Sequence, residues 1–238
     1  MWKRIRTSEV LYLTYMPVRT TPFVNQHFYH IYNRGVEKRP IFLDKRDYQR
    51  MKTTISYYRY TSLPMKLSDF LKLSFEEKGK VVTHHQHPAL LTVDLICFSF
   101  MPNHYHLLIQ QKSDRGISKF MKNISDSYTR YFNTRHERVG PLFQGQFKAV
   151  LIDSDEQLLH LSRYIHLNPL TSFVVKDFSG LINYQWSSLH QYIFADKGIC
   201  KSDFVLNAFP SRKAYRKFVS DQAEYQQKLE VIKHITFE

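Results

Sequence analysis

The sequence predicts an α+β fold, with helices packed on one face of an antiparallel sheet. Three observations predict it. Short apolar strand-like segments alternate with amphipathic stretches at helical spacing, in the order strand, helix, strand, strand, helix, strand, helix. The two middle strands are separated by Pro102–Asn103 alone, a link that fits a hairpin and so an antiparallel pair. With 238 residues, 43% of them hydrophobic, the chain can bury a full core.

Residues 1–26 are read as an N-terminal arm. FYHIYNRG at 28–35 alternates, is rich in aromatics, and ends as a strand at Gly35. Asp44 caps a helix carrying Tyr48, Met51, Ile55 and Tyr58 on one stripe, and Pro64 ends that helix or its continuation. Residues 61–90 are less regular. They hold a short amphipathic piece and the polar run THHQHP, and are read as an insertion. ALLTVDLICFSFM (89–101) is a buried strand and HYHLLIQ (104–110) its hairpin partner. A helix at about 116–137 places Ile117, Phe120, Met121, Ile124, Tyr128 and Phe132 on one stripe. LFQGQFKAVLI (142–152) is the next strand. Asp153 or Ser154 caps the helix DEQLLHLSRYIHLN, which Pro169 stops. WSSLHQYI (186–193) forms a helical turn, and a basic helix at about 211–231 closes the chain. The main domain spans 27–193, with 194–238 as a helical C-terminal extension. This element order lies near the ferredoxin-like plan.

Lysine and arginine exceed aspartate and glutamate by 13, and aromatics make up 15% of the chain. A folded chain this basic is expected to meet a polyanion, nucleic acid first. Two distant cysteines, Cys97 and Cys200, exclude a disulfide framework and zinc-finger spacing and suit a reducing cytosol. No stretch approaches the roughly 20 apolar residues of a membrane span, and the N-terminus lacks the pattern of a signal peptide. The expected location is therefore cytoplasmic, at the nucleoid.

Two places carry chemistry. His104 and His106 are two apart on a strand, so both imidazoles point to one face, where they can share a metal ion. Tyr105, Leu107 and Ile109 supply the opposite, core face. On the helix after residue 154, Leu158, Leu161 and Ile165 form the core stripe. Gln157, His160, Tyr164 and Asn168 form a second stripe beside it. A phenol, with a pKa of about 10, is a weak nucleophile at neutral pH. Attack on a phosphodiester needs the phosphate charge neutralised and the attacking oxygen in line. A divalent ion meets the first need, and the Asn168 carbonyl is a candidate third ligand. Mixed nitrogen and oxygen ligation favours Mn²⁺, while abundance favours Mg²⁺.

MPNHYHLLI resembles the His-hydrophobic-His motif of the single-tyrosine HUH transposases, and SRYIHLNPL resembles their tyrosine helix. YHIYNRGVEKRPIF, GPLFQGQFKAVLID and YQWSSLHQY resemble the REP-associated tyrosine transposases in particular. The resemblance covers about 27–193, in order. It implies a ferredoxin-like sheet, His104 and His106 as metal ligands, and Tyr164 as the nucleophile on single-stranded DNA. It also implies a 5′-phosphotyrosine intermediate, a free 3′-OH, rejoining in DNA transposition, and recognition of hairpin DNA. Insertion-sequence members carry glutamine where this chain has Asn168, which points to the REP-associated branch. Members act as dimers that exchange the tyrosine helix or as monomers.

A basic groove with stacking aromatics is expected to grip the single strand. The candidates are Arg34, Lys38 and Arg39 after the first strand, and Lys119, Lys122, Tyr128, Arg130, Tyr131 and Arg135 on the long helix. His160 and Gln157 are candidate auxiliaries beside the phenol. His85 and His87 in the HHQH run form a rival metal pair, weakened by Pro88, and His166 is read as structural or surface. Two other functions remain open: a domesticated hairpin-binding regulator that does not cut, and a nuclease in which metal-bound water attacks.

Overall fold

The computed structural model describes residues 22–223. In order they form β1 (Phe28–Arg34), α1 (Lys45–Tyr58), α2 (Leu67–Phe70), α3 (Phe75–His85), β2 (Val93–Met101), β3 (His104–Gln111), α4 (Gly116–Arg135), β4 (Lys148–Ile152) and α5 (Asp155–Thr171). There follow α6 (Phe178–Ile182), α7 (Leu189–Phe194), α8 (Asp203–Leu206) and α9 (Arg212–Ser220), with 3₁₀ turns at Val36–Lys38 and Pro88–Leu90. The sheet order is β2-β3-β1-β4, antiparallel throughout, which is the ferredoxin-like arrangement.

Directly opposed residues of antiparallel strands point to the same side. Tyr29, Ile31, Leu95, Phe98, Phe100, Tyr105, Leu107 and Ile109 therefore share one face. There they meet α1 and α4 through Met51, Ile55, Phe120, Ile124 and Tyr128, all buried. Phe42 lies 5.6 Å from both Phe100 and Tyr128, centroid to centroid. The two helices are tied by buried Asp47 on α1. It accepts from the Leu43 amide (2.9 Å), Tyr131 hydroxyl (3.0 Å), Arg135 Nη1 (2.6 Å) and His136 Nε2 (3.0 Å).

The other face is covered over β2 and β3 by α5. This corrects the expectation of helices on one face: α1 and α4 take one side and α5 the other. The physical reason lies in β2, whose nine residues are all buried, as an apolar run without alternation requires when both faces are covered. His166, on α5, has its Nδ1 2.7 Å from the Tyr215 hydroxyl and its Nε2 2.8 Å from the Ser188 hydroxyl. Burial pulls its pKa down to about 3, so it stays a neutral imidazole that ties α5 to α9 and to the residue preceding α7. The YQWSSLHQY segment shields the outer edge of β2. The Phe100 amide donates to the Trp186 carbonyl (2.9 Å), the Ser188 amide to the Phe98 carbonyl (3.0 Å), and the Tyr184 hydroxyl to the Phe100 carbonyl (2.7 Å).

Several boundaries differ from the sequence reading. Asp44 and Ser154 are the caps, each accepting from amides of its helix. Pro169 does not stop α5, which runs two residues further. A proline in the last turn removes a single helical bond, and the Ser172 amide still closes on the Asn168 carbonyl. The fourth strand begins at Lys148 rather than 142, because Leu142–Phe147 wraps the end of β1 through the Gln144 amide and Arg34 carbonyl (2.8 Å). The polar run at 83–88 is partly helical: His84 and His85 end α3, behind a capping box of Ser74 and Glu77. The expected helix at 211–231 is α9 as far as Ser220, and its part beyond 223 lies outside the described residues, as do residues 1–21 of the arm.

Candidate active site

The site starts at the β2–β3 hairpin. The loop after β1 clamps the hairpin turn. The Gly35 amide donates to the Asn103 carbonyl (2.8 Å), and the Ile41 and Phe42 amides donate to the Pro102 carbonyl (2.8 and 3.1 Å). At Gly35 a Cβ would sit 2.1 Å from the Arg39 carbonyl oxygen, so the clamp closes on a glycine. Asn103 is fixed by donating Nδ2 to the Lys38 carbonyl (3.2 Å), which turns its Oδ1 toward Nδ1 of His104 at 2.6 Å. Nδ1 of His104 is therefore the protonated nitrogen. Its Nε2 lone pair then faces Oδ1 of Asn168, on α5, at 3.3 Å. Oδ1 is also held by the Ser172 hydroxyl at 3.2 Å.

His106 sits one strand repeat away, ring centroid 5.2 Å from that of His104. Its Nδ1 is 2.8 Å from Nε2 of His30 on β1, with the rings stacked at 5.0 Å. Tyr32 stacks on the His106 ring at 5.7 Å. Burial is the main cause of lowered pKa values at all three histidines. His30 falls to about 4. His104 is lowered chiefly by burial and further by Arg34, while the Asn168 oxygen, which would accept a proton on Nε2, works the other way. His106 is pushed well below the usual range by burial, then by His30 and His104. All three are neutral imidazoles near pH 7, the form that ligates metal ions.

Tyr164 projects from α5 one helical turn before Asn168. Its ring stands edge-on to His106, centroids 5.5 Å apart at 85°, and 6.2 Å from His30. It keeps 41% of its surface exposed, whereas Asn168 is buried. Beside His104 opens a cavity of 430 Å³ lined by Tyr32, Arg34, Lys38, Gln144 and Lys148. Arg34 Nε donates to Gln144 Oε1.

The donor set suits a cation. With Nδ1 of His104 protonated, two acceptors, Nε2 of His104 and Oδ1 of Asn168, converge with no proton between them. Nδ1 of His106 is taken by His30, which leaves Nε2 as its ligating nitrogen. Among the described residues no group of three or more histidines, cysteines or carboxylates is arranged to hold a metal. The set here is two imidazoles and an amide, so it brings no negative charge of its own.

The structure thus brings His104, His106, Tyr164, Asn168, Arg34 and Lys38 together, and disperses the rest. Arg39, exposed, pairs with Glu37 at 2.5 Å. Lys119, Lys122, Arg130, Tyr131 and Arg135 lie on α4, behind the sheet from Tyr164. Arg135 is spent on Asp44 and Asp47. Tyr128 is corrected outright: it is fully buried, donates to the Ile41 carbonyl at 2.6 Å, and offers no face to a base. Gln157 turns away to the helix start, where it accepts from the Asp153 amide at 3.0 Å. His160 pairs with Arg163, Nδ1 to Nη2 at 2.7 Å, and so turns toward that neighbour. His84 and His85 end α3 while His87 caps the next turn, accepting from the Ala89 amide. The sequence reading missed His30, Tyr32, Asn103 and Lys148. For His30 and Tyr32 the signal was present: β1 alternates, and these two are the polar-tipped members of one face.

Comparison with known proteins agrees in part with this layout. Residues 74–168 match the family model described as IS200-like transposase. That span includes His104, His106, Tyr164 and Asn168 and leaves out β1. No curated protein matches the sequence. Among solved structures, a REP-associated tyrosine transposase bound to a REP hairpin superposes with a TM-score of 0.52 at 16% identity, covering 77% of this chain and 90% of that one. This likeness shows a shared fold. A transposase-like protein from Deinococcus radiodurans R1 gives a TM-score of 0.34 at 13% identity (62% and 95% covered). A bacterial tRNA(His) guanylyltransferase-like protein in complex with GTP gives 0.39 at 8% (71% of each).

Proposed function

We propose that the chain, whose residues 74–168 match the model of the IS200-like transposases, cleaves and rejoins single-stranded DNA with Tyr164 as nucleophile. The observation that carries the proposal is the meeting of Tyr164 with His106 and of Asn168 with His104, across two elements about 60 residues apart in sequence. The substrate is single-stranded DNA next to a hairpin, and the reaction serves DNA transposition.

In this reading the Tyr164 hydroxyl attacks a backbone phosphorus and gives up its proton to solvent. The P–O3′ bond breaks, the 3′ oxygen takes up a proton, and the phosphate stays on the 5′ end joined to the tyrosine. A 3′-OH attacking that phosphotyrosine reverses the step and rejoins the strand. Arg34, Lys38 and Lys148 neutralise neighbouring phosphates along the cavity. His104, His106 and Asn168 would hold a divalent cation, Mg²⁺ or Mn²⁺, which polarises a phosphate oxygen and steadies the charge that builds during attack. Because the three ligands are neutral, the DNA phosphate supplies the balancing charge. Tyr164 lies against the His106 of its own chain, which supports a site complete within a monomer.

The test is a denaturing gel after incubation with a labelled hairpin oligonucleotide and Mn²⁺. A covalent protein–DNA band is expected, absent with EDTA and absent in Tyr164→Phe. Cleavage without that band, undiminished in Tyr164→Phe, would instead indicate water as the nucleophile. Binding without cleavage would indicate a regulator.

A further inference from the structure

Asn103, in the β2–β3 turn, is held at both ends by the loop that follows β1. Its carbonyl accepts from the Gly35 amide (2.8 Å), and its Nδ2 donates to the Lys38 carbonyl (3.2 Å). That loop turns tightly. Glu37 and Lys38 both have left-handed backbones, at φ 55° and 59°. Such a backbone is unfavourable for residues other than glycine and persists where surrounding contacts hold it. Here the Lys38 amide donates to the Gly35 carbonyl and the Arg39 amide to the Val36 carbonyl, both at 3.0 Å. A carbonyl oxygen only accepts, so the Lys38 oxygen fixes which way round the Asn103 amide lies. Nδ2 faces the loop, and Oδ1 faces Nδ1 of His104 at 2.6 Å.

The orientation matters because the two ends of an amide are unlike. Turned over, Asn103 would present an N–H to His104, and Nδ1 would become the acceptor. A neutral imidazole carries one proton, so that proton would then sit on Nε2. Nε2 lies 3.3 Å from Oδ1 of Asn168, within reach of a hydrogen bond. The Ser172 hydroxyl donates to the same oxygen at 3.2 Å and keeps it there. His104 thus has two hydrogen-bonded states. In one, Nε2 is a lone pair beside the Asn168 oxygen and can take a cation. In the other, Nε2–H donates to Asn168 and a proton fills the ligand position. Two facing lone pairs repel while no cation is bound, so His104 and Asn168 by themselves favour the second state. The Lys38 carbonyl, acting through Asn103, favours the first.

We propose that Asn103, anchored by the Lys38 carbonyl, is a positioning residue that keeps the proton of His104 on Nδ1 and so keeps Nε2 open as a cation ligand. This rests on the reading of His104 as a ligand given above. The loop after β1 thereby becomes part of the site, although it lies outside the residues 74–168 that match the family model. Each histidine of the pair then has its own orienting partner on a different segment, Asn103 for His104 and His30 for His106.

The test uses two variants of the full chain. Asn103→Leu removes both side-chain hydrogen bonds at similar size. Asn103→Asp offers an oxygen to His104 whichever way it lies, so it needs no anchor at Lys38. Nitrogen-15 NMR of histidine-labelled protein without metal reads which ring nitrogen of His104 carries the proton, its signals being identified by their absence in His104→Gln. Electron paramagnetic resonance titration reads Mn²⁺ affinity, and circular dichroism checks folding. The wild type and Asn103→Asp are expected to carry the proton on Nδ1, and Asn103→Leu on Nε2. Mn²⁺ should bind about 10- to 100-fold more weakly to Asn103→Leu, and to Asn103→Asp at least as tightly as to the wild type. A merely structural role for Asn103 would not move the proton. Asn103→Leu with the proton still on Nδ1, or with wild-type Mn²⁺ affinity, would overturn the proposal. So would a loss of affinity in Asn103→Asp, which decides the matter even where Asn103→Leu does not fold. Neither measurement uses DNA. A wild-type chain that binds Mn²⁺ with the proton on Nδ1 but forms no covalent adduct ends the cleavage reading and leaves this one standing. A wild-type chain that binds no Mn²⁺ overturns this one, whatever the adduct gel shows.

Discussion

Replacing His30 with phenylalanine removes one hydrogen bond and little else. His30 is half-buried on β1, and its Nε2 lies 2.8 Å from Nδ1 of His106. For His106 to present Nε2 as a lone pair, its Nδ1 must carry the proton and donate to His30. A phenyl ring fills the same space, so no cavity opens. The cost is a buried N–H without a partner, about 1–3 kcal/mol of stability. The larger consequence is the loss of the bond that selects the tautomer and holds the ring. Such second-layer partners are worth about 10- to 100-fold in metal affinity. In His30→Phe, Mn²⁺ affinity measured by electron paramagnetic resonance titration should fall within that range. Guanidinium unfolding should show the stability loss. His30→Gln, which keeps an acceptor, should recover most of the affinity. If His30→Phe binds Mn²⁺ as the wild type does, the bond to His106 does not orient a ligand and the reasoning is refuted.

Two further outcomes follow from the packing. Asp47→Ala leaves the Leu43 amide, the Tyr131 hydroxyl and His136 without this acceptor and Arg135 with Asp44 as its one carboxylate, so urea unfolding should show a loss of about 3–5 kcal/mol. Cys97 and Cys200 are both buried, and burial pushes both thiols up, Cys200 to about 12. Neither should react with a thiol reagent at pH 8 within minutes in the native protein, and both should react fully in denaturant.

The order of elements was legible because each strand and helix carries its own periodicity. The histidine pair and the tyrosine stripe were legible for the same reason, since both follow from local geometry. Faces were harder. Nothing local says which side of a sheet a helix will take, so the basic stripe of α4 and the phenol of α5 read as one groove when they lie on opposite sides. Tyr128 fitted both an apolar stripe and a row of stacking rings, and only the packing of Phe42 and Ile41 against it decides for the core. His30 was invisible as a partner because its register with β3 joins residues 76 apart. Gln157 and His160 shared a stripe with Tyr164, yet each found a nearer partner, a helix-start amide and an arginine side chain. Spacing on a helix cannot foresee such competition.

The network around His166 also sets a schedule. The ribosome delivers the histidines of β3 first and the helix of Tyr164 about 60 residues later. That helix is tied down through His166 to Ser188 and to Tyr215, which follows Tyr164 by 51 positions. A nascent chain stalled short of α9 therefore has the Ser188 bond of His166 and the packing of α5 on the sheet, but not the bond to Tyr215. The contact between Tyr164 and His106 is thus braced by segments that leave the ribosome well after both of them.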